Sequence, residues 1–141
     1  GDLQFDNIIR TGWQTCGRED FKLLDWREEF GGLVEYGDQY YDLAKLYGGL
    51  TLSYALIKEN KFQLSEDEKD ISFNFESSHL LQEANSSFEN FVCQEKFDLQ
   101  KIKILRALIF LNMSPLHSSP FDRMLFYLGC YYLNGAINVP K

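Results

Sequence analysis

The chain predicts an α+β fold that is mainly helical. Two short apolar runs near the start flank a polar, glycine-bearing connection, and two alternating segments near the middle flank an acidic turn. From Asp38 to Ile57, and again from Ser77 onward, apolar residues recur at helical spacing. With 141 residues, 45% of them apolar and 16% aromatic, the chain can bury one ordinary core. No internal repeat, low-complexity segment or Pro/Ser-rich linker divides it, so residues 1–141 form a single domain or one lobe of a larger one.

Asn7 to Arg10 and Phe21 to Leu24 read as the strands of a hairpin, with Trp13 to Asp20 as a loose polar loop between them. The first strand is expected to be buried and is fed by the polar stretch Gly1-Asp2-Leu3-Gln4-Phe5-Asp6. Antiparallel pairing sets the start of one strand beside the end of the other, which puts Asn7 and Asp25 on one edge. Arg27 to Gly37 is charged, carries glycines and has no regular period, so it is a loop near that edge. Asp38 reads as a helix N-cap, and Tyr40, Leu43, Ala44 and Tyr47 line one face of the helix after it. Gly48-Gly49 is expected to kink or break this helix before it resumes over Leu50 to Ile57, with Lys58-Glu59-Asn60 closing it.

Phe62 and Leu64, then Ile71, Phe73 and Phe75, alternate with the period of a small inserted hairpin around Ser65 to Asp70. Its Glu66-Asp67-Glu68 reads as a solvated turn. Beyond Ser77 three helices follow. One carries Leu80, Leu81, Ala84, Phe88, Phe91 and Val92, the next Ile102, Leu105, Ala107, Leu108 and Leu111, and the last Phe121, Leu125, Phe126, Leu128 and Leu133. Asp98 caps the second, and Ser118 or Ser119 caps the third with Pro120 at its first position. The total is about four to five helices.

A formal charge of −7 and a pI near 4.8 oppose both the nucleic-acid backbone and an anionic membrane surface, and no basic stripe offsets them. Small or cationic partners fit better. No apolar run reaches the roughly 18 to 20 residues of a membrane span, because Leu105 to Met113 is short and interrupted by Arg106 and Asn112. Cys16, Cys93 and Cys130 are widely spaced without a CxxC or Cys/His cluster, which argues against a disulfide framework or a zinc site. With no signal peptide, a cytoplasmic setting is expected. The chain opens with Gly-Asp rather than Met, inside a patterned loop, and reads as a fragment whose upstream part is absent.

Asp2, Asn7 and Asp25 are candidates for one site, since a carboxylate can orient a hydroxyl while amide and carboxylate oxygens hold a hard cation. Asp38 and Asp42 share a helical face. They are either a second acidic pair or supports, with Asp38 as the cap and Asp42 accepting from the loop or a neighbouring amide. Arg27 either touches phosphate or substrate, or pairs with Glu28, Glu29 or Asp38. His79 and His117 lack partners at ligand spacing and read as structural or surface residues. Tyr36, Tyr40, Tyr41, Tyr47, Tyr127, Tyr131 and Tyr132 either box a cation or form a helical core with hydroxyls at its edge.

The order Gly1-Asp2-Leu3, Asn7-Ile8-Ile9, Leu23-Leu24-Asp25-Trp26 and Gly37-Asp38-Gln39-Tyr40-Tyr41-Asp42-Leu43-Ala44 resembles the aminoglycoside phosphotransferase and choline kinase-like family. The likeness is strongest over Gly1 to Leu46. Arg27, Phe30-Gly31, Tyr36-Gly37-Asp38, Asp42 to Leu46 and Ile109 to His117 lean toward members associated with bacterial surface-polysaccharide loci. The resemblance implies the C-terminal lobe of a protein-kinase-like fold with a catalytic hairpin. It implies Asp2 as the catalytic carboxylate, and Asn7 and Asp25 as the residues that hold Mg²⁺ against the phosphates of ATP.

The acceptor would be a small molecule with a hydroxyl, whether sugar, aminoglycoside or choline-like. The phosphate-covering loop, its Lys and the adenine hinge would belong to an N-terminal lobe of the same protein, so this stretch should not phosphorylate anything unaided. A non-catalytic kinase-fold module that binds a sugar, a nucleotide or a partner protein in polysaccharide biosynthesis is the alternative. An unrelated helical interaction domain is the third.

Overall fold

The computed structural model describes residues 2–13, 19–25, 27–53, 56 and 59–138. Among them the fold is α+β and mainly helical, with two small antiparallel sheets and four helices. Strands β1 (Ile8–Trp13) and β2 (Glu19–Leu23) form the first hairpin, and β3 (Phe62–Glu66) and β4 (Ile71–Phe75) the second. Helices α1 (Gln39–Thr51), α2 (His79–Gln94), α3 (Leu99–Met113) and α4 (Phe121–Ile137) make up the rest, with short 3₁₀ turns at Phe5–Asn7 and Ser114–Leu116.

Three of the helices begin on a side-chain cap, which satisfies a backbone N–H that the first turn leaves unpaired. Asp38 accepts from the Tyr40 amide at 2.8 Å, Ser78 from Leu81 at 3.2 Å and Asp98 from Lys101 at 3.1 Å. Helix α4 differs from expectation. Pro120 occupies its N-cap and no side chain caps it; the Ser118 carbonyl, not a serine hydroxyl, accepts from the Phe121 and Asp122 amides.

Helix α3 is the centre of the molecule. One cluster packs it through Ile102 and Ile109 against Leu43, Ala44, Tyr47 and Leu50 of α1 and Phe88 and Val92 of α2. A second packs Phe110 with Phe121, Met124, Leu125 and Leu128 of α4, and Phe62, Phe73 and Phe75 of the second hairpin join it. Helices α3 and α4 approach closely at Gly129, where a Cβ would stand 2.7 Å from Leu111 Cγ and 3.1 Å from the Ala107 carbonyl. Glu66 is not a solvated turn residue. It ends β3 and takes the Arg123 guanidinium and the Tyr127 hydroxyl, fastening the second hairpin to α4.

Helix α1 runs unbroken through Gly48-Gly49 and stops at Thr51, where Leu52 turns extended. Tertiary packing outweighs the low helix propensity of glycine here: Gly48 faces the Phe110 ring and Gly49 lies under Phe5. Of the expected continuation to Ile57 and its closing Lys58, residues 54, 55, 57 and 58 lie outside the described residues.

The first hairpin is longer than its apolar runs, because Trp13, Glu19 and Asp20 join the ladder and a bulge falls between Arg10 and Gly12. Residues 14–18 of the expected loop lie outside the described residues. Its strands are also not buried, contrary to the reading of β1. Ile9 on one side of the hairpin and Phe21 and Leu23 on the other are exposed, as is Leu24 just beyond β2. In the loop that follows, Phe30 and Leu33 exchange backbone hydrogen bonds across Gly31 and Gly32, whose φ values of 59° and 84° form a tight turn of the kind that favours glycine.

Candidate functional site

The loop before β1 is held from three directions. The Asn7 amide N–H bonds the Gln4 carbonyl at 2.9 Å to close the 3₁₀ turn, and Asn7, 9% exposed, donates from Nδ2 to the Asp2 carbonyl at 3.0 Å. The Asn7 carbonyl in turn accepts from Leu24 at 2.8 Å, extending the hairpin pairing by one step. From α1, Asp42 Oδ1 accepts the Leu3 amide at 3.3 Å, and Lys45 Nζ lies 3.0 Å from Asp2 Oδ1. That oxygen is buried and, among the described residues, accepts no well-aligned hydrogen bond, so the Lys45 ammonium is what offsets its charge.

Asp25 follows directly on the Asn7–Leu24 pair, and its backbone has φ of 52°. A residue other than glycine is uncommon in that left-handed region, and Asp is among the few that tolerate it. The carboxylate is exposed at the hairpin end that also carries Asn7. Contacts therefore bring Asp2, Asn7, Asp42 and Lys45 together, and backbone pairing sets Asp25 at the same end.

The remaining candidates act as supports. Asp38 is the cap of α1. Arg27 Nη2 donates to the Tyr41 hydroxyl at 3.1 Å and its guanidinium sits 5.0 Å from that ring, which also meets Phe30 edge-on at 5.4 Å. Arg27 thus ties the loop after β2 to α1 and, among the described residues, does not pair with Glu28, Glu29 or Asp38. His79 pairs with Glu83 at 3.2 Å on an exposed face, and His117 packs edge-on against Phe121.

Two features escaped the sequence reading. Lys45 is one; its spacing of three from Asp42 puts the two on one helical face and was the available signal. The other is Arg106, 6% exposed and stacked between the rings of Tyr47 and Tyr132 at 4.1 and 3.9 Å. Burial pushes its guanidinium below its usual value, and burial together with the hydrogen bond to Glu89 pushes the Tyr47 hydroxyl up. Burial also works against the Glu89 charge. The Tyr47 hydroxyl and Lys103 outweigh it and hold that carboxyl below its ordinary range. The tyrosines on α1 thus serve the core and its edge: Tyr47 stacks on Phe88 at 5.0 Å and Tyr40 meets Phe97 at 5.6 Å.

A cleft of about 460 Å³ opens beside the loop, lined by Phe5, Lys45 and Gly49 and floored by Leu81, Ile109 and Phe110. Among the described residues no three His, Cys, Asp or Glu side chains gather as a metal site, and no helix is long and apolar enough to cross a membrane. Fold and site together define a mainly helical α+β domain whose first hairpin ends in an acid and amide group clamped by α1. No family model, curated protein or solved structure matches the chain.

Proposed function

We propose that the chain is the C-terminal lobe of a protein-kinase-like small-molecule phosphotransferase, which moves the γ-phosphoryl group of ATP to a hydroxyl with Mg²⁺. The observation that carries this reading is the shared hairpin end of Asn7 and Asp25, with Asp2 bonded to Asn7. The donor set suits the ion. Asn7 spends its Nδ2 on the Asp2 carbonyl and so has Oδ1 to offer, and Asp25 adds a carboxylate, a hard-oxygen pair that fits a cation completed by phosphate and water. Bound there, Mg²⁺ would neutralise charge on the transferring phosphates.

Asp2 has the role of orienting the acceptor hydroxyl. Lys45 holds its Oδ1, and the Asn7 and Asp42 bonds fix the Asp2–Leu3 peptide that follows it, so the carboxylate is pre-positioned. An N-terminal lobe supplies the nucleotide contacts in this reading, and the exposed Phe21 and Leu23, which share one face of β2, give it apolar surface to cover. Bacterial surface-polysaccharide synthesis is the setting that the resemblance favours.

The Lys45–Asp2 ion pair also favours the second reading, a non-catalytic kinase-fold module, because it neutralises the carboxylate that would meet the hydroxyl. Calorimetry on the protein with its N-terminal lobe tests the metal half of the proposal: Asp25→Ala should lose Mg²⁺-dependent ATP binding. Retention of that binding would sink the assignment of Asp25.

A further inference from the structure

A second cavity, of about 710 Å³, shares no lining residue with the cleft beside Asp2. Its wall includes Thr51, Phe75, Lys103, Arg106, Tyr132 and Gly135. Arg106 is the unusual member, an arginine that as a whole residue is more than nine-tenths buried. Thr51 Oγ1 accepts from its Nη1 at 2.9 Å, while Nε has no acceptor among the described residues. The carboxylate whose charge reaches it, Glu89, is held instead by the Tyr47 hydroxyl and by Lys103 Nζ at 3.0 Å. Among the described residues, Arg106 and Lys103 bring two positive charges against the single negative charge of Glu89, which leaves one positive charge in excess.

A guanidinium keeps its charge when buried, and a buried charge without an opposite partner is unfavourable. The two tyrosine faces relieve part of this through cation–π attraction, but they bring no negative charge. The cavity is also far larger than a bare ion needs, and Phe75 and Tyr132 give it aromatic walls. We propose that this cavity binds a small monocarboxylate with an aromatic or aliphatic body, its carboxylate neutralising the Arg106 charge and its body lying on the aromatic wall. A monoanion matches the single excess charge; a dianionic phosphate would leave one negative charge over.

Calorimetric titration of the chain with 3-phenylpropionate, its primary amide and inorganic phosphate tests this. The carboxylate should bind saturably, and the amide roughly tenfold or more weakly because it lacks the charge. Gly135→Phe supplies the blocking variant. Gly135 lines the cavity and a Cβ built there meets nothing within 4 Å, so a ring has open space to occupy, and binding should vanish while the protein still unfolds cooperatively and no less stably, since glycine is the poorer helix former. Equal binding of the amide, tighter binding of phosphate, binding retained in Gly135→Phe, or no binding of the carboxylate would each overturn the proposal.

Discussion

Lys45 and Asp2 form an ion pair of 3.0 Å in which both side chains are largely withdrawn from solvent, at 13% and 21% exposure. Removing one member strands the other in a poorly hydrated place. Lys45→Met should therefore cost about 1–3 kcal/mol of stability, read from urea unfolding, whereas Lys45→Arg should keep most of it. An unchanged midpoint in Lys45→Met would mean that the pair does not hold the loop.

At Asp25 the backbone separates two substitutions of similar size. With φ at 52°, Asp25→Gly should fold as well as the parent or slightly better, and Asp25→Ala should be less stable than Asp25→Gly by about 1 kcal/mol. Chemical denaturation of the two variants side by side gives the comparison. Equal stabilities would contradict the left-handed conformation.

Glycines 129 and 49 both sit where a Cβ meets a neighbour at 2.7 Å, but the neighbours differ. Gly129→Ala drives into Leu111 and the Ala107 carbonyl at the α3–α4 contact, and should lower stability by about 1–3 kcal/mol. Gly49→Ala pushes only the ring of Phe5, which is 48% exposed and can swing aside, so its cost should be smaller. Thermal melts that rank the two in the reverse order would contradict the packing.

Glu89 sets an acid limit. Its folded carboxyl titrates below the ordinary value of 4.5, so its contribution is present above that value and is lost as pH falls through the lower folded one. Glu89→Gln should flatten the acid side of the stability–pH curve below about pH 4.5 and weaken the protein at neutral pH. An unaltered acid slope would place the titration elsewhere.

Features with local causes were legible in the sequence. Asp38 and Asp98 announce their helices because a short acidic side chain beside a free N–H needs nothing from the rest of the chain. The inserted hairpin likewise follows from alternation alone, with Phe62 opposite Phe75 and Leu64 opposite Phe73. Where distant partners decide, local rules fail. Gly48-Gly49 stays helical because Phe110 and Phe5 occupy the space beside it, and Arg27 goes to Tyr41 rather than to its acidic sequence neighbours. Period alone marks an apolar face but not what covers it, which is why the sequence predicts a buried β1 where the structure leaves Ile9 exposed.

The candidate site divides the same way. Asn7 and Asp25 share an edge by strand pairing, which the spacing of two apolar runs already implies. The clamp from α1 depends on how that helix docks, and only the Asp42–Lys45 spacing hinted at it.

The proposed role of Asp2 is to orient a hydroxyl for phosphoryl transfer at a Mg²⁺ site held by Asn7 and Asp25. The most direct measurement is Mg²⁺-dependent phosphoryl transfer from ATP by the protein carrying its N-terminal lobe, compared with Asp2→Ala. Turnover should fall by roughly 10²-fold or more while Mg²⁺–ATP binding is retained. Turnover unchanged in Asp2→Ala would contradict that role.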